Sequence, residues 1–277
     1  MRFAAILLAV LLAASGCTGP DAGEIVDETI AAVTRATPQA PPSRKHGALS
    51  TAAAYRIQDL YAQEMQRRLG GITGYKVAFA GKAAQSAWGV SEPVTGPLFE
   101  GQRVENGGTV RIADFVQLNI EAELAFALGK LIDRPIKDVA ELKKHVKSVH
   151  LALDIADNRF SARPTAADVI ATGAGAHRYV VGPGNDPAKL DLDGLTIRLT
   201  KDGKAVYQGP SKDVLDGQWN CLLWQVNHLI GRGRKLKAGQ VLLTGAVDAP
   251  YVAKGPAAAG AYAADAGPLG GIKCTVR

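Results

Sequence analysis

The chain has 277 residues, 47% of them hydrophobic and 21% charged, with a formal net charge of +6. This is the composition of a globular protein with a sizeable core, and it excludes collagen-like, coiled-coil and wholly disordered chains. The charge is mild for the length and no Lys/Arg block is interleaved with aromatics, so no nucleic-acid partner is expected. A small positive excess also suits attraction of an anionic substrate.

The first residues read as an export signal. Met1-Arg2 supplies a positive start, and Phe3 to Ala14 is an apolar run too short to span a bilayer, which takes about 20 residues. The run ends in Ala14-Ser15-Gly16-Cys17, small residues before a cysteine, as in a bacterial lipobox, with Ala14 where the usual lipobox has Leu. Cleavage before Cys17 would leave a lipid on that cysteine and a membrane-anchored lipoprotein facing the periplasm. A plain secretory signal, cut at a nearby small residue, is the competing reading, and both export the protein. Residues 18–47, rich in Ala, Pro and Thr, read as a flexible tether with a short helix around Ile25 to Arg35. Residues 48–277 then form one domain.

Within that domain, helical spacing of Ala53, Ile57, Leu60, Tyr61 and Met65 predicts a helix over Ser50–Leu69, stopped by Gly70-Gly71. A strand follows over Ile72–Ala80, and Ser91 to Pro97 reads as turn. Val110 to Leu128 is the clearest strand region. A helix is predicted over Asp138–Lys147 and a strand over Val149–Ala156. Asp202-Gly203 joins Leu195–Thr200 to Lys204–Tyr207 as a hairpin. A helix over Val214–Ile230 and strands over Gln240–Val247 and Gly271–Val276 close a mixed, β-rich α/β fold. Cys221 and Cys274 could pair in an exported chain or stay as buried thiols, and no C-x-x-C is present. The five histidines show no ligand spacing.

Side chains alternate faces along a strand. Val116, Leu118, Ile120, Ala122, Leu124 and Phe126 make one unbroken apolar face, and Gln117, Asn119, Glu121 and Glu123 share the other. Glu121 and Glu123 are therefore neighbours, about 7 Å apart at the backbone. Alone they could be a solvated strand face. Asp154 stands opposite the apolar face Val149, Leu151, Leu153 and Ile155, with Asp157 in a following turn. Asp154 could be held by backbone amides, pair with Arg159, or complete a three-oxygen set suited to Mg²⁺ or Mn²⁺. Lys76, between Gly74 and Ala78 on its face, could be exposed or could approach a ligand.

Taken in order, Gly74-Tyr75-Lys76-Val77, Glu121-Ala122-Glu123-Leu124-Ala125-Phe126 and Leu153-Asp154-Ile155-Ala156-Asp157-Asn158-Arg159 resemble the 2-keto-4-pentenoate hydratases. The similarity continues through Ala167-Asp168, Trp224 to Leu229, Leu236 to Gly245 and Gly267-Pro268-Leu269-Gly270. These enzymes group with the 4-oxalocrotonate decarboxylases in the fumarylacetoacetate hydrolase superfamily. The resemblance implies a fumarylacetoacetase C-terminal-like β-roll with flanking helices, assembled into homo-oligomers. It implies Mg²⁺ or Mn²⁺ on Glu121, Glu123 and Asp154, Lys76 as acid/base or substrate-orienting group, and Gln117, Asp157 and Thr244 on the substrate side. The implied activity is hydration of a small 2-oxo acid such as a 2-oxo-4-enoate, through an enolate. Decarboxylation, C–C hydrolysis and ligand binding without turnover are the alternatives. This chain departs from the hydratase pattern at Asp154, usually Glu, and at Val94-Thr95, usually Asp-Tyr. It departs again at Asn119, near where a basic residue is usual, and at Val169, usually Asn.

Overall fold

The computed structural model describes residues 21–247 and 256–277. The signal segment 1–17, with Cys17, lies outside the described residues. Residues 22–46 contain the helix expected around Ile25 to Arg35, but they pack on the domain rather than forming the flexible tether expected from their composition. Ile25, Val26, Thr29 and Ile30 are spaced to share one helical face, and they are buried in α1 (Ala22–Arg35). Asp21 caps this helix, its carboxylate accepting from the amides of Gly23 and Glu24 at 3.0 and 3.1 Å. After the short α2 (Pro42–His46), α3 (Thr51–Leu69) begins at Ser50, whose hydroxyl accepts from the Ala53 amide. The apolar face of α1 packs on Ala54, Tyr55, Ile57 and Tyr61 of α3. The domain thus starts at α1; the Ala and Pro content masked a buried stripe.

The remaining elements are β1 (Ile72–Ala78), α4 (Lys82–Trp88), β2 (Val94–Phe99), β3 (Arg103–Val104), β4 (Thr109–Val110), β5 (Leu118–Leu128), α5 (Val139–Lys143), β6 (Val146–Asp157), α6 (Ala166–Ala171), β7 (Arg178–Val181), β8 (Thr196–Lys201), β9 (Lys204–Pro210), α7 (Gln218–Gly231), β10 (Val241–Leu243), β11 (Gly260–Asp265) and β12 (Gly271–Val276). Seven strands form one mixed sheet in the order β2–β1–β10–β5–β6–β7–β3, and five form a second in the order β4–β12–β11–β8–β9. The β-rich α/β architecture expected from the sequence is the one observed.

The long strands β5 and β6 run antiparallel through the middle of the larger sheet, with Glu121 directly opposite Asp154. Leu118, Ile120, Ala122, Leu124 and Phe126 enter the main core with Leu151, Leu153 and Ile155, against Ile197, Leu199, Tyr262, Ile272 and helix α7. A second apolar cluster joins α1, α3 and α6 to Val94 and Phe99 of β2. The other face of the large sheet carries a smaller apolar cluster, with Leu98, Ala125, Ala152, Tyr179 and Leu243, and beside it the polar site. Close approach sets one residue here: a Cβ on Gly74 would sit 1.9 Å from the carbonyl oxygen of Val241 on β10.

Several further elements differ from the sequence reading; the strand expected over Gln240–Val247 is only Val241–Leu243, and the helix expected from Val214 starts at Gln218. The stretch read as turn around Pro93 to Pro97 is mostly β2; it is an edge strand, where a proline costs no ladder hydrogen bond. The strand expected from Val110 starts at Leu118, because Ile112–Asp114 forms a 3₁₀ turn. The helix expected to Lys147 stops at Lys143, and β6 takes over at Val146. Cys221 and Cys274 are buried and free.

Candidate metal centre and active-site cavity

Glu121, Glu123 and Asp154 come together: one oxygen from each lies within 4.8 Å of the others. Sheet topology explains how Lys76 joins them. Between β1 and β5 lies only the three-residue β10, whose last residue, Leu243, pairs with Lys76 on one side and Ala125 on the other. There the chain leaves the sheet. Gly245 adopts φ +89°, and its amide donates to Oε2 of Glu123 at 2.8 Å. With β10 ended, Lys76 reaches across and its ammonium bonds Oδ2 of Asp154. Asp154 is thus paired with Lys76; Arg159 lies instead beside Asp157, Nε to Oδ2 at 3.5 Å.

The electrostatics are unbalanced. Lys76, Glu123 and Asp154 are buried to 2%, 0% and 0% exposure. Oε1 of Glu123 and Oδ1 of Asp154 are buried with no hydrogen-bond partner among the described residues. Burial pushes the Glu121 carboxyl up to about 7, with Lys76 opposing and Asp154 adding to the rise. Burial and then the Asp154 charge raise Glu123 well above the carboxylate range. Burial works against the charge of Lys76, but Asp154, Glu121 and Glu123 outweigh it and hold the ammonium above the ordinary lysine range. With all three carboxyls ionised against one ammonium, two negative charges would be unmatched, and the two open oxygens suit a hard divalent cation in place of the protons.

Lys76 and Glu121 lie on the wall of a cavity of about 1170 Å³, also lined by Gln117, Asn119, Asp157, Asn158 and Arg159. Asp157 is the last residue of β6, not part of a turn. Its Oδ1 accepts from the amides of Val116 and Gln117 at 3.0 and 2.9 Å, which fixes the entry to β5. The Gln117 carboxamide oxygen accepts from Asn158 at 2.7 Å. Thr244 is not on the substrate side as expected. It is absent from the cavity wall, and its buried hydroxyl is within 2.6 Å of the Gln218 oxygen and 3.1 Å of the Leu124 carbonyl. The departure of the chain after Leu243 turns it into the core.

Asn119 was passed over as a site residue, although it shares the alternating face of Gln117 and Glu121. It is 7% exposed and lines the cavity, and its side chain has no hydrogen bond to another described residue. Phe79 and Trp88 also line the cavity, with ring centroids 4.6 Å apart; no periodic signal marked them. Among the described residues one other cluster has ligand geometry, Glu24, Glu28 and His46. The Lys45 ammonium already bonds both of its glutamates. No helix of the described residues is long and apolar enough to cross a membrane.

Fold and site define a β-rich α/β protein with a buried tricarboxylate cluster at the edge of a large cavity. The chain belongs to the fumarylacetoacetate (FAA) hydrolase family, whose C-terminal domain model matches residues 76–269. It is 30% identical to a 4-oxalocrotonate decarboxylase of a Pseudomonas species over 78% of this chain and 82% of the relative. It is 27% identical to a 2-keto-4-pentenoate hydratase of Burkholderia vietnamiensis over 80% and 84%. The fold matches the 4-oxalocrotonate decarboxylase of Pseudomonas putida G7, solved with magnesium and adipate, with a TM-score of 0.85 and 21% identity, covering 92% of this chain and 97% of that one.

Proposed function

We propose that the protein is a divalent-metal-dependent lyase that hydrates a small 2-oxo acid such as a 2-oxo-4-enoate, with Glu121, Glu123 and Asp154 as metal ligands. The observation that carries this reading is the pair of buried, unpartnered oxygens, Oε1 of Glu123 and Oδ1 of Asp154, inside a cluster of three carboxylates. An all-oxygen donor set fits Mg²⁺, with Mn²⁺ as the second choice. Magnesium in the decarboxylase structure supports the same assignment. A cation held there would polarise the 2-oxo carbonyl and stabilise negative charge moving onto its oxygen.

The chain's own groups do the rest. Lys76 keeps its proton at neutral pH, so its Nζ offers positive charge to the developing oxyanion and a proton to a carbon or oxygen at the cavity floor. Gln117, held by Asn158, presents its amide to the ligand, while Asp157 holds the backbone that positions it. Asn119, between Gln117 and Glu121 and free of other bonds, binds a ligand oxygen.

Decarboxylation is the second reading, favoured by the 30% identity to a 4-oxalocrotonate decarboxylase. We also propose export through residues 1–17 with lipid on Cys17, supported by the sequence pattern, and assembly into homo-oligomers. Palmitate labelling that disappears in Cys17→Ser tests the first, and light scattering tests the second.

The deciding experiment is thermal denaturation with Mg²⁺ and oxalate, an enolate mimic, followed by turnover of 2-oxopent-4-enoate. Stabilisation by oxalate only with metal, lost in Glu123→Gln, together with loss of the substrate without CO₂ release, is the expected result. CO₂ release would favour the decarboxylase. Stabilisation without turnover would leave a binding lipoprotein, and no effect of metal would overturn the site.

A further inference from the structure

We propose that the cavity takes a 2-oxo acid carrying a flat aromatic or conjugated group beyond its reacting carbons, with Phe79 and Trp88 as the surface that recognises it. The proposal rests on the metal site above as the seat of the 2-oxo acid head.

The cavity volume of about 1170 Å³ is large for a five-carbon acid; drug-sized ligands occupy about 300–1,000 Å³. Lys76, Glu121, Asn119 and Gln117 line the cavity, and so do Phe79 and Trp88, whose rings stack at 4.6 Å and 27°. Both rings are only part-buried, so each keeps area open to the cavity. Phe79 stands three residues beyond Lys76, immediately after the end of β1.

The backbone at Phe79 adds an independent observation. Its φ is +60°, a left-handed conformation that a bulky residue rarely adopts. The turn is held from outside: the Gln85 carboxamide donates to the carbonyls of Phe79 and Ala80 at 3.1 and 3.3 Å. The Leu215 amide donates to Ala80 as well, at 3.0 Å. Such conformations persist where the surroundings over-determine them, and they concentrate at ligand sites. Aromatic pairs with an accessible face favour a third ring in offset-stacked or edge contact. Phe79 also packs on the helical cluster, which fixes its backbone side.

The test compares two acids that differ by one phenyl group, 2-oxobutanoate and 2-oxo-4-phenylbutanoate, by calorimetric titration of the whole protein in Mg²⁺. The phenyl acid is expected to bind about 10-fold more tightly. Trp88→Leu and Phe79→Leu should remove that advantage and leave 2-oxobutanoate affinity unchanged, while Trp88→Phe, which keeps a ring, retains part of it. Tryptophan emission should be quenched by the phenyl acid in the wild type and not in Trp88→Phe. Equal affinity for the two acids, or an advantage that survives Trp88→Leu, overturns the proposal. Loss of both acids in Glu123→Gln reports the head site alone. Failure of both acids in the wild type removes the 2-oxo acid seat, and this proposal with it.

Discussion

Asp154 and Asp168 are both carboxylates at 0% exposure, and the molecule surrounds them in opposite ways. Asp168, in α6, accepts from the amide and hydroxyl of Ser43 at 2.7 Å each and from the amide and hydroxyl of Thr165 at 2.8 Å each. Those four bonds cap α6 and tie α2 to it. Asp154 has the Lys76 ammonium on one oxygen and no partner among the described residues on the other, with Glu121 directly opposite across the ladder. A carboxylate kept for the fold is filled with donors, since each unmet lone pair costs stability. One kept open beside like charges is unfavourable for folding and marks a functional site.

The sharpest way to break this comparison is to exchange the two roles. Asp154→Asn is expected to reduce turnover at least ~1000-fold, about 4 kcal/mol in the barrier. Its metal-free melting temperature should change little, because relief of the repulsion from Glu121 and Glu123 offsets the lost ion pair with Lys76. Steady-state kinetics and calorimetry read both, and strong destabilisation with activity kept would reverse the assignment. Asp168→Ala should do the opposite, losing about 3 kcal/mol of stability and roughly 6–12 °C in Tm, with kcat and metal affinity unchanged. Ile25→Ala extends the contrast to α1. Loss of about 2.5 kcal/mol on truncating this side chain is expected for a helix inside the core; a tether would show no change in denaturant midpoint.

A smaller effect comes from pH. Burial, with Arg159 and Arg178 close by, pushes the His177 ring down to about 3 from 6.5. Between those values the unfolded chain takes up a proton that the folded chain refuses, so stability falls as pH drops, by at most ~1.4 kcal/mol per unit. Glu121 works the other way. With its carboxyl raised from 4.5 to about 7, its contribution is present below pH 4.5 and lost as pH rises to about 7. The two slopes oppose each other in the wild type. His177→Leu should leave Tm falling between pH 4.5 and 7, and Glu121→Gln should steepen the rise from pH 3 to 4.5 and weaken the fall above it, where Glu123, also raised, still opposes His177. Mg²⁺ should flatten the Glu121 slope by taking the place of its proton.

Much of the site was legible because β5 and β6 keep a strict period of two over long runs. That alternation put Gln117, Asn119, Glu121 and Glu123 on one face and Asp154 opposite its apolar neighbours, before any contact was known. Where the local pattern was diluted, the reading failed. Pro and Gly concealed the edge strand β2, and Ala-rich composition concealed the buried face of α1. Thr244 was misplaced because nothing local tells where a short strand leaves its sheet.

The sequence by itself determined which carboxylates share a face, the β-rich α/β class and the hydratase-like order of motifs, since these follow from periodicity within single strands and from residues in a row. Only the tertiary structure decided that Lys76 meets Asp154, 78 positions apart, and that two of the carboxylate oxygens stay without donors. It also decided that Phe79 and Trp88 stack on the cavity wall. These depend on where β10 stops and on a complete count of donors around each buried atom, and no local stretch of chain carries either.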